Sequence, residues 1–270
     1  MNKTFVTRRA ALTGFSASAG LALTPGVVLA QNSPLPRLPT AAACVLSPEL
    51  EEGPFYLDPK LVRSDIREDR KGAPLRLALH IVEASSCAPV TGARVDIWHC
   101  DALGLYSGVD GQGDDRAKAA ASATFLRGSQ TVSAAGDVTF DTIYPGWYQG
   151  RTTHIHVKII LDSGRFATSQ IFLPDALSEY LYLKARPYNE RGATRDTVNA
   201  SDHVVKNGGE QRATFCSVKE LADRYLATLV IGIDRVEAAQ SHRRGPAGAP
   251  PPGGPGRGPS RSRGSLVPGT

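Results

Sequence analysis

The 270-residue chain, with 27 glycines, 19 prolines and 7% aromatic residues, suits a turn-rich β protein better than a long-helix bundle. It has no run of 18 uninterrupted apolar residues, which excludes a multi-span membrane protein and argues against stable membrane insertion. The net charge of +5 comes from the ends: three basic residues before position 31 and five after position 240 leave 23 basic against 26 acidic residues between them, so a nucleic-acid-binding body, which needs clustered positive charge, is disfavoured.

The first segment reads as an export signal over 1–30. Thr7-Arg8-Arg9 precedes a mildly apolar run, and Val28-Leu29-Ala30 puts small residues before a cleavage point at Gln31. The arginine pair resembles a twin-arginine signal, which carries folded proteins across a membrane. Residues 31–41 form a Pro/Ala-rich linker, 42–239 a folded body of single-domain size, and 240–270 a Pro/Gly/Arg-rich tail expected to be disordered. The location is therefore periplasmic or extracellular, where Cys44, Cys87, Cys100 and Cys216 have three ways to form two disulfides. None has the CxxC spacing of a zinc or redox site.

Within the body the apolar period is mostly two. Strands are expected at 75–81, about 95–99, 138–143, 154–160, 166–173, 213–218 and 226–233, with a short helix around 175–184. Asp162-Ser163-Gly164-Arg165 reads as a hairpin turn, and Asp110 to Arg116 as a loop and nothing more. Many short strands with turn signals predict an all-β fold, a β-sandwich of mixed topology with short helices and long loops.

The segment richest in chemistry is Pro145-Gly146-Trp147-Tyr148-Gln149-Gly150-Arg151-Thr152-Thr153-His154-Ile155-His156. On a strand His154 and His156 share a face, so two imidazoles point to one place. Alone, His-x-His is as common on a solvated strand face as at a metal. Three neighbours add weight: Tyr148 and Arg151 just upstream, Tyr106 in the turn after Trp98-His99-Cys100, and Glu52-Gly53-Pro54-Phe55-Tyr56 at the start of the body.

Together these motifs resemble the intradiol ring-cleavage dioxygenases, the family of catechol and protocatechuate 3,4-dioxygenases, from about Cys44 to about Asp234. The resemblance implies a non-haem Fe(3+) cofactor bound by Tyr106, Tyr148, His154 and His156, with Tyr106 and His154 equatorial and the other two axial. It gives Arg151 a catalytic and substrate-binding role and, more loosely, makes Gln170 a substrate-binding residue. Tyr148 is also catalytic, displaced by a catechol that binds through both oxygens. The implied partners are a small-molecule catechol and O2, the product a cis,cis-muconate-type diacid, and a homo-oligomer is left open. Two phenolates and one hydroxide would balance the ferric charge, and hard anionic oxygens favour the ferric state.

Two departures stand out. Only five residues separate Tyr148 from His154, where better-known members are longer, so the substrate stays open. The body also begins too close to the leader for a helical dimerisation module. Rival readings are an exported non-catalytic binding module on the same scaffold, and a copper or zinc site on His154 and His156, against which the tyrosines argue. Tyr56 and Tyr144 are expected to line or pack on the pocket, Trp98 and Trp147 to anchor packing, and His80 and His99 to have no metal role.

Overall fold

The structure, a computed structural model, describes residues 44–235 except 59, 111, 113–119 and 209–211. The expected leader, linker and tail lie outside the described residues.

Among the described residues, eight strands form two four-stranded sheets. In chain order they are β1 (Pro74–Glu83), β2 (Arg94–Trp98), β3 (Arg127–Thr131), β4 (Asp137–Ile143), β5 (His154–Ile160), β6 (Phe166–Phe172), β7 (Ser217–Glu220) and β8 (Tyr225–Ile233). Helix α1 (Asp175–Lys184) follows β6, and helix α2 (His203–Asn207) lies between it and β7. The back sheet has the order β4-β1-β8-β7 and the front sheet β3-β2-β5-β6. All pairings are antiparallel except β1 with β8, which is parallel. This is the expected all-β sandwich of mixed topology.

The core follows from the period of two. Leu75, Leu77, Leu79 and Ile81 of β1 share one buried cluster with Val95 and Ile97 of β2, Ile155, Val157 and Ile159 of β5, and Leu229 and Ile231 of β8. Register aligns the layers, with Leu77 opposite Phe140 and Ala227, and Val157 opposite Ile97. Burying these alternating residues against the other sheet drives the fold, at about 25 cal/mol per Å² of apolar area.

Two expectations need correction. The strand at 213–218 begins later: residues 212–214 form a 3-10 turn and β7 starts at Ser217. Phe215 bridges to Phe172 and the Cys216 amide donates to the Phe172 carbonyl, so this stretch hangs on the front sheet before crossing to the back one. Strand β3 went unpredicted because Arg127-Gly128-Ser129-Gln130-Thr131 shows no apolar alternation. Of the cysteines, Cys44 and Cys87 form a disulfide, while Cys100 and Cys216 are buried thiols.

Residues 44–47 run along β8 of the back sheet, and residues 48–57 continue over the outer face of the front sheet. The Ser47 amide donates to the Gly232 carbonyl, and the Leu50 amide to the Thr168 carbonyl. Ser169 and Gln170 donate to the Pro48 and Glu51 carbonyls. This strap lets a polar sheet face be buried.

Candidate functional site

The site lies on that outer face, under the strap. The register places Arg127, Trp98, His156 and Gln170 in one row across β3, β2, β5 and β6, with His154 two residues along β5. The same alternation that sends Ile155 and Val157 inward therefore sends both histidines outward, where they are still buried.

Each imidazole is held by a specific contact. His154 Nδ1 lies 2.6 Å from the Thr152 carbonyl, which can only accept, so Nδ1 carries the proton and Nε2 presents a lone pair. His156 stacks on Trp98, with centroids 4.8 Å apart and planes at 9°, and its Nδ1 is a buried atom with no hydrogen-bond partner among the described residues. Gly53 of the strap approaches from the other side. Its φ is +72°, and a Cβ there would lie 3.3 Å from His156 Cε1, so glycine suits both the backbone and the space.

Two loops bring in the tyrosines. In the turn after β2, the Asp101 carboxylate accepts from the Leu103 and Leu105 amides at 2.9 Å. Gly104, at φ +89°, sits where a Cβ would collide with the Trp147 carbonyl. The Gly146 amide donates to the Asp101 carbonyl at 3.1 Å, so the two tyrosine-bearing loops dock on each other. Gln112 clamps Tyr106, accepting from its amide at 2.7 Å and donating to its carbonyl at 2.6 Å. The stretch expected to be a mere loop thus contributes a fixing residue. Arg191 donates to the Trp147 carbonyl and stacks on its indole.

Four donor atoms converge. His154 Nε2 is 3.1 Å from His156 Nε2, 3.4 Å from Tyr106 Oη and 3.3 Å from Tyr148 Oη. Burial, then the neighbouring Tyr148, pushes the Tyr106 phenol well above its usual value. Burial also pushes Tyr148 up to about 12, against the pull of Arg151. His154 is pushed down to about 3, by burial and then Arg151, and His156 falls well below its ordinary range through burial and then His154. All four are therefore neutral at pH 7. Nitrogen and oxygen lone pairs are crowded together in a place that penalises added protons on the imidazoles. A cation among them would relieve that crowding and ionise the phenols. The donor set of two phenols and two imidazoles fits a hard, highly charged metal ion. Among the described residues no group of three or more His, Cys, Asp or Glu could hold a metal.

Arg151 borders this cluster and is 8% exposed. Its Nη1 lies 3.4 Å from Tyr148 Oη, its Nη2 donates to Gln170 Oε1 at 2.5 Å, and its Nε donates to Asp202 Oδ2 at 2.9 Å. The structure thus brings Tyr106, Tyr148, His154, His156, Arg151 and Gln170 together, the last through a β5–β6 pairing. Phe55 closes the wall, 4.5 Å from the Tyr106 ring and 6.0 Å from that of Tyr148.

The rival residues take other places. Tyr56 donates to Asp96 at 3.0 Å and packs on Trp98. Tyr144 pairs with Ser178 of α1 at 2.8 Å. His99 is buried between the Cys100 carbonyl and Thr142, and burial pushes it down to about 4. His80 pairs with Asp137 on the back sheet.

Sequence reading missed Asp202, Gln112 and Arg127. Asp202 sits before a short apolar stretch, the local signal of a helix N-cap, but nothing local points to Arg151. Arg127 is a buried cation that donates to the Ser107 and Phe55 carbonyls. It ties the strap to the residue after Tyr106, and burial pushes it down to about 10.

Comparison with known proteins agrees with this architecture. A protein-family profile described as Dioxygenase matches residues 47–176. The chain is 30% identical over 148 residues to catechol 1,2-dioxygenase 1 of Acinetobacter lwoffii, covering 46% of this chain and 45% of that protein. It is 27% identical over 211 residues to catechol 1,2-dioxygenase of Acinetobacter baylyi, covering 70% and 64%. The matches thus span less than two thirds of these curated relatives. A solved intradiol ring-cleavage dioxygenase from Tetranychus urticae superposes with a TM-score of 0.64 at 34% identity, covering 71% of this chain and 95% of that one. With that identity over nearly the whole of a solved member, the chain belongs to the intradiol ring-cleavage dioxygenase family.

Proposed function

We propose that this protein uses Fe(3+), held by Tyr106, Tyr148, His154 and His156, to cleave a catechol-type aromatic with O2 between its two hydroxylated carbons. Both oxygen atoms enter the product, a cis,cis-muconate-type diacid. The observation that carries the reading is the convergence of two phenol oxygens on two imidazole nitrogens, with contacts of 3.1–3.4 Å about His154 Nε2.

Iron(III), when bound, supplies a Lewis-acid centre that binds both catechol oxygens and makes the ring reactive toward O2. The chain supplies the rest. Tyr106, His154 and His156 are at most 2% exposed, whereas Tyr148 is partly open to solvent. Substrate would therefore enter on the Tyr148 side, and Tyr148, which a bound metal would hold as the phenolate, would supply the oxygen that takes up a catechol proton. Arg151, fixed beside Tyr148, holds negative charge on the bound ring in a pocket from which water is largely excluded. The Thr152 carbonyl keeps His154 in the tautomer a metal needs. The strap, with Gly53 and Phe55, keeps water off the imidazoles.

The reading includes export, by the twin-arginine route, with cleavage before Gln31. The Cys44–Cys87 bond supports an oxidising compartment. Intact-mass measurement of the secreted protein checks the cleavage.

The decisive experiment is the visible spectrum of the purified mature protein with iron quantified, before and after anaerobic addition of catechol, protocatechuate and hydroxyquinol. A red-brown tyrosinate-to-iron band that shifts with one of them is expected. A protein that stays colourless after iron reconstitution overturns the reading.

A further inference from the structure

We propose that Asp202 is the positioning residue that aims Arg151 at the bound ring and balances its charge, a role that rests on the ring-cleavage reading above. Asp202 is fully buried, on the loop before α2, and meets Arg151 across 51 residues of sequence. Its two oxygens divide their work. Oδ2 accepts from Arg151 Nε at 2.9 Å and from the Thr152 amide at 2.8 Å. Oδ1 accepts from the Val204 and Val205 amides at 2.8 and 3.1 Å, capping α2.

This arrangement fixes the guanidinium plane. A guanidinium is a rigid fork. With Nε on Asp202 and Nη2 on Gln170, the remaining Nη1 edge can only face Tyr148 Oη. Thr152 is tied to the same carboxylate, and its carbonyl orients His154. One carboxylate thus sets both the cation beside the ring and the backbone behind a proposed ligand. Without it, Arg151 would be a buried cation with no carboxylate partner among the described residues, free to swing toward solvent or toward a substrate oxygen.

The competing account is that Asp202 only caps α2. Asn and Ser both cap helices about as well as Asp, so Asp202→Asn and Asp202→Ser keep the cap while changing what Arg151 meets. Asn turns an amide donor or a neutral oxygen toward Nε, and Ser withdraws the acceptor. Hydrogen bonds to charged groups are worth about 1.5–3 kcal/mol, so both variants should lose kcat for catechol by about 10- to 100-fold. KM should change by less than about threefold, because Arg151 acts on charge that develops during reaction. Iron content should fall far less than kcat, because the Thr152 carbonyl still faces His154 Nδ1.

A second measurement does not use the loaded enzyme. Thermal melts of metal-free wild type, Asp202→Ser, Arg151→Gln and the double variant form a cycle, and the two single losses should be clearly non-additive. Wild-type kcat in both Asp202 variants, or additive melts, overturns the role and leaves ring cleavage standing. An iron-loaded wild type that turns over no catechol, protocatechuate or hydroxyquinol overturns the ring-cleavage reading and the role with it.

Discussion

The two sheets share one construction and part ways on their outer faces. Inside, both present alternating Leu, Ile and Val to the same core. Outside, the back sheet carries Arg76, His80, Asp137 and Asp141, whose ion pairs stand partly in water. The front sheet carries Asp96, Trp98, His154, His156, Lys158 and Gln170 in equivalent positions, all buried beneath the strap and loops. Burying polar groups is costly unless each is matched, and the charged groups of the front face are matched, while Trp98 Nε1 and His156 Nδ1 have no hydrogen-bond partner among the described residues. Asp96 accepts from Ser129, Tyr56 and Arg94, and Lys158 donates to Glu52 between the rings of Tyr56 and Phe166. The atoms left aimed at one another are the four proposed metal donors. A similar pleat thus yields a solvated face on one sheet and a chemical pocket on the other, and the cover makes the difference.

The largest effect should come from removing a donor on the front face. His154→Ala or Tyr106→Phe should abolish iron loading and the visible band, while Arg76→Ala on the back sheet leaves both unchanged. Iron analysis of the three variants decides it. Equal iron in His154→Ala would mean that the cluster is not the metal site.

Next come the carboxylates of the two faces. Asp96 is fully buried with three partners, so Asp96→Ala should destabilise the fold by about 3 kcal/mol, the scale of breaking a buried pair. Asp141 binds Arg76 and Arg224 with side chains 25–39% exposed, so Asp141→Ala should cost about 1 kcal/mol or less. Urea melts of both measure the ratio. Comparable losses would show that the strap does not desolvate the front face.

How much of this was legible follows from the same contrast. The apolar face of β1, the His-x-His strand and helix α1 are local patterns, and they were readable at once. The tyrosines and Arg151 became readable only through the resemblance, since no local period distinguishes Tyr106 from Tyr56 or Tyr144. Strand β3 hid because its exterior is covered by other chain segments, which lets Ser129 and Arg127 replace the usual alternation. Gln112 acts six residues from Tyr106 within an unremarkable loop, and Asp202 and Arg127 act across 51 and 72 residues. Such contacts depend on where the fold sends each segment, and spacing cannot report that.

A smaller effect tests the cover itself. Gly53→Ala places a methyl 3.3 Å from His156 Cε1 at a φ of +72°. The left-handed backbone alone costs about 1–2 kcal/mol, and the strap should shift off the imidazole. Lower iron affinity with a modest fall in melting temperature is expected. Gly164→Ala in the β5–β6 hairpin, also at positive φ but with nothing within 4 Å, should show the fall in stability without the loss of iron. If both variants hold iron equally well, the strap covers His156 without positioning it.

The smallest effect belongs to solvent, and pH exposes it. Asp65 accepts from Arg67 Nε and Nη2 at 2.9 and 2.6 Å, and that pairing lowers its carboxyl to about 2. A folded-state value below the unfolded 3.8 means that the pair stabilises the protein above pH 4 and loses that contribution as pH falls toward 2. Both side chains are 40% exposed or more, so screening holds the gain to less than about 1 kcal/mol. Asp65→Asn should therefore change urea stability slightly at pH 7, by an amount that shrinks with added salt and that fades as pH falls through about 2. A salt-independent loss above about 2 kcal/mol would place Asp65 with the buried carboxylates of the front face, and the division between a solvated back and a covered front would have to be redrawn at its edge.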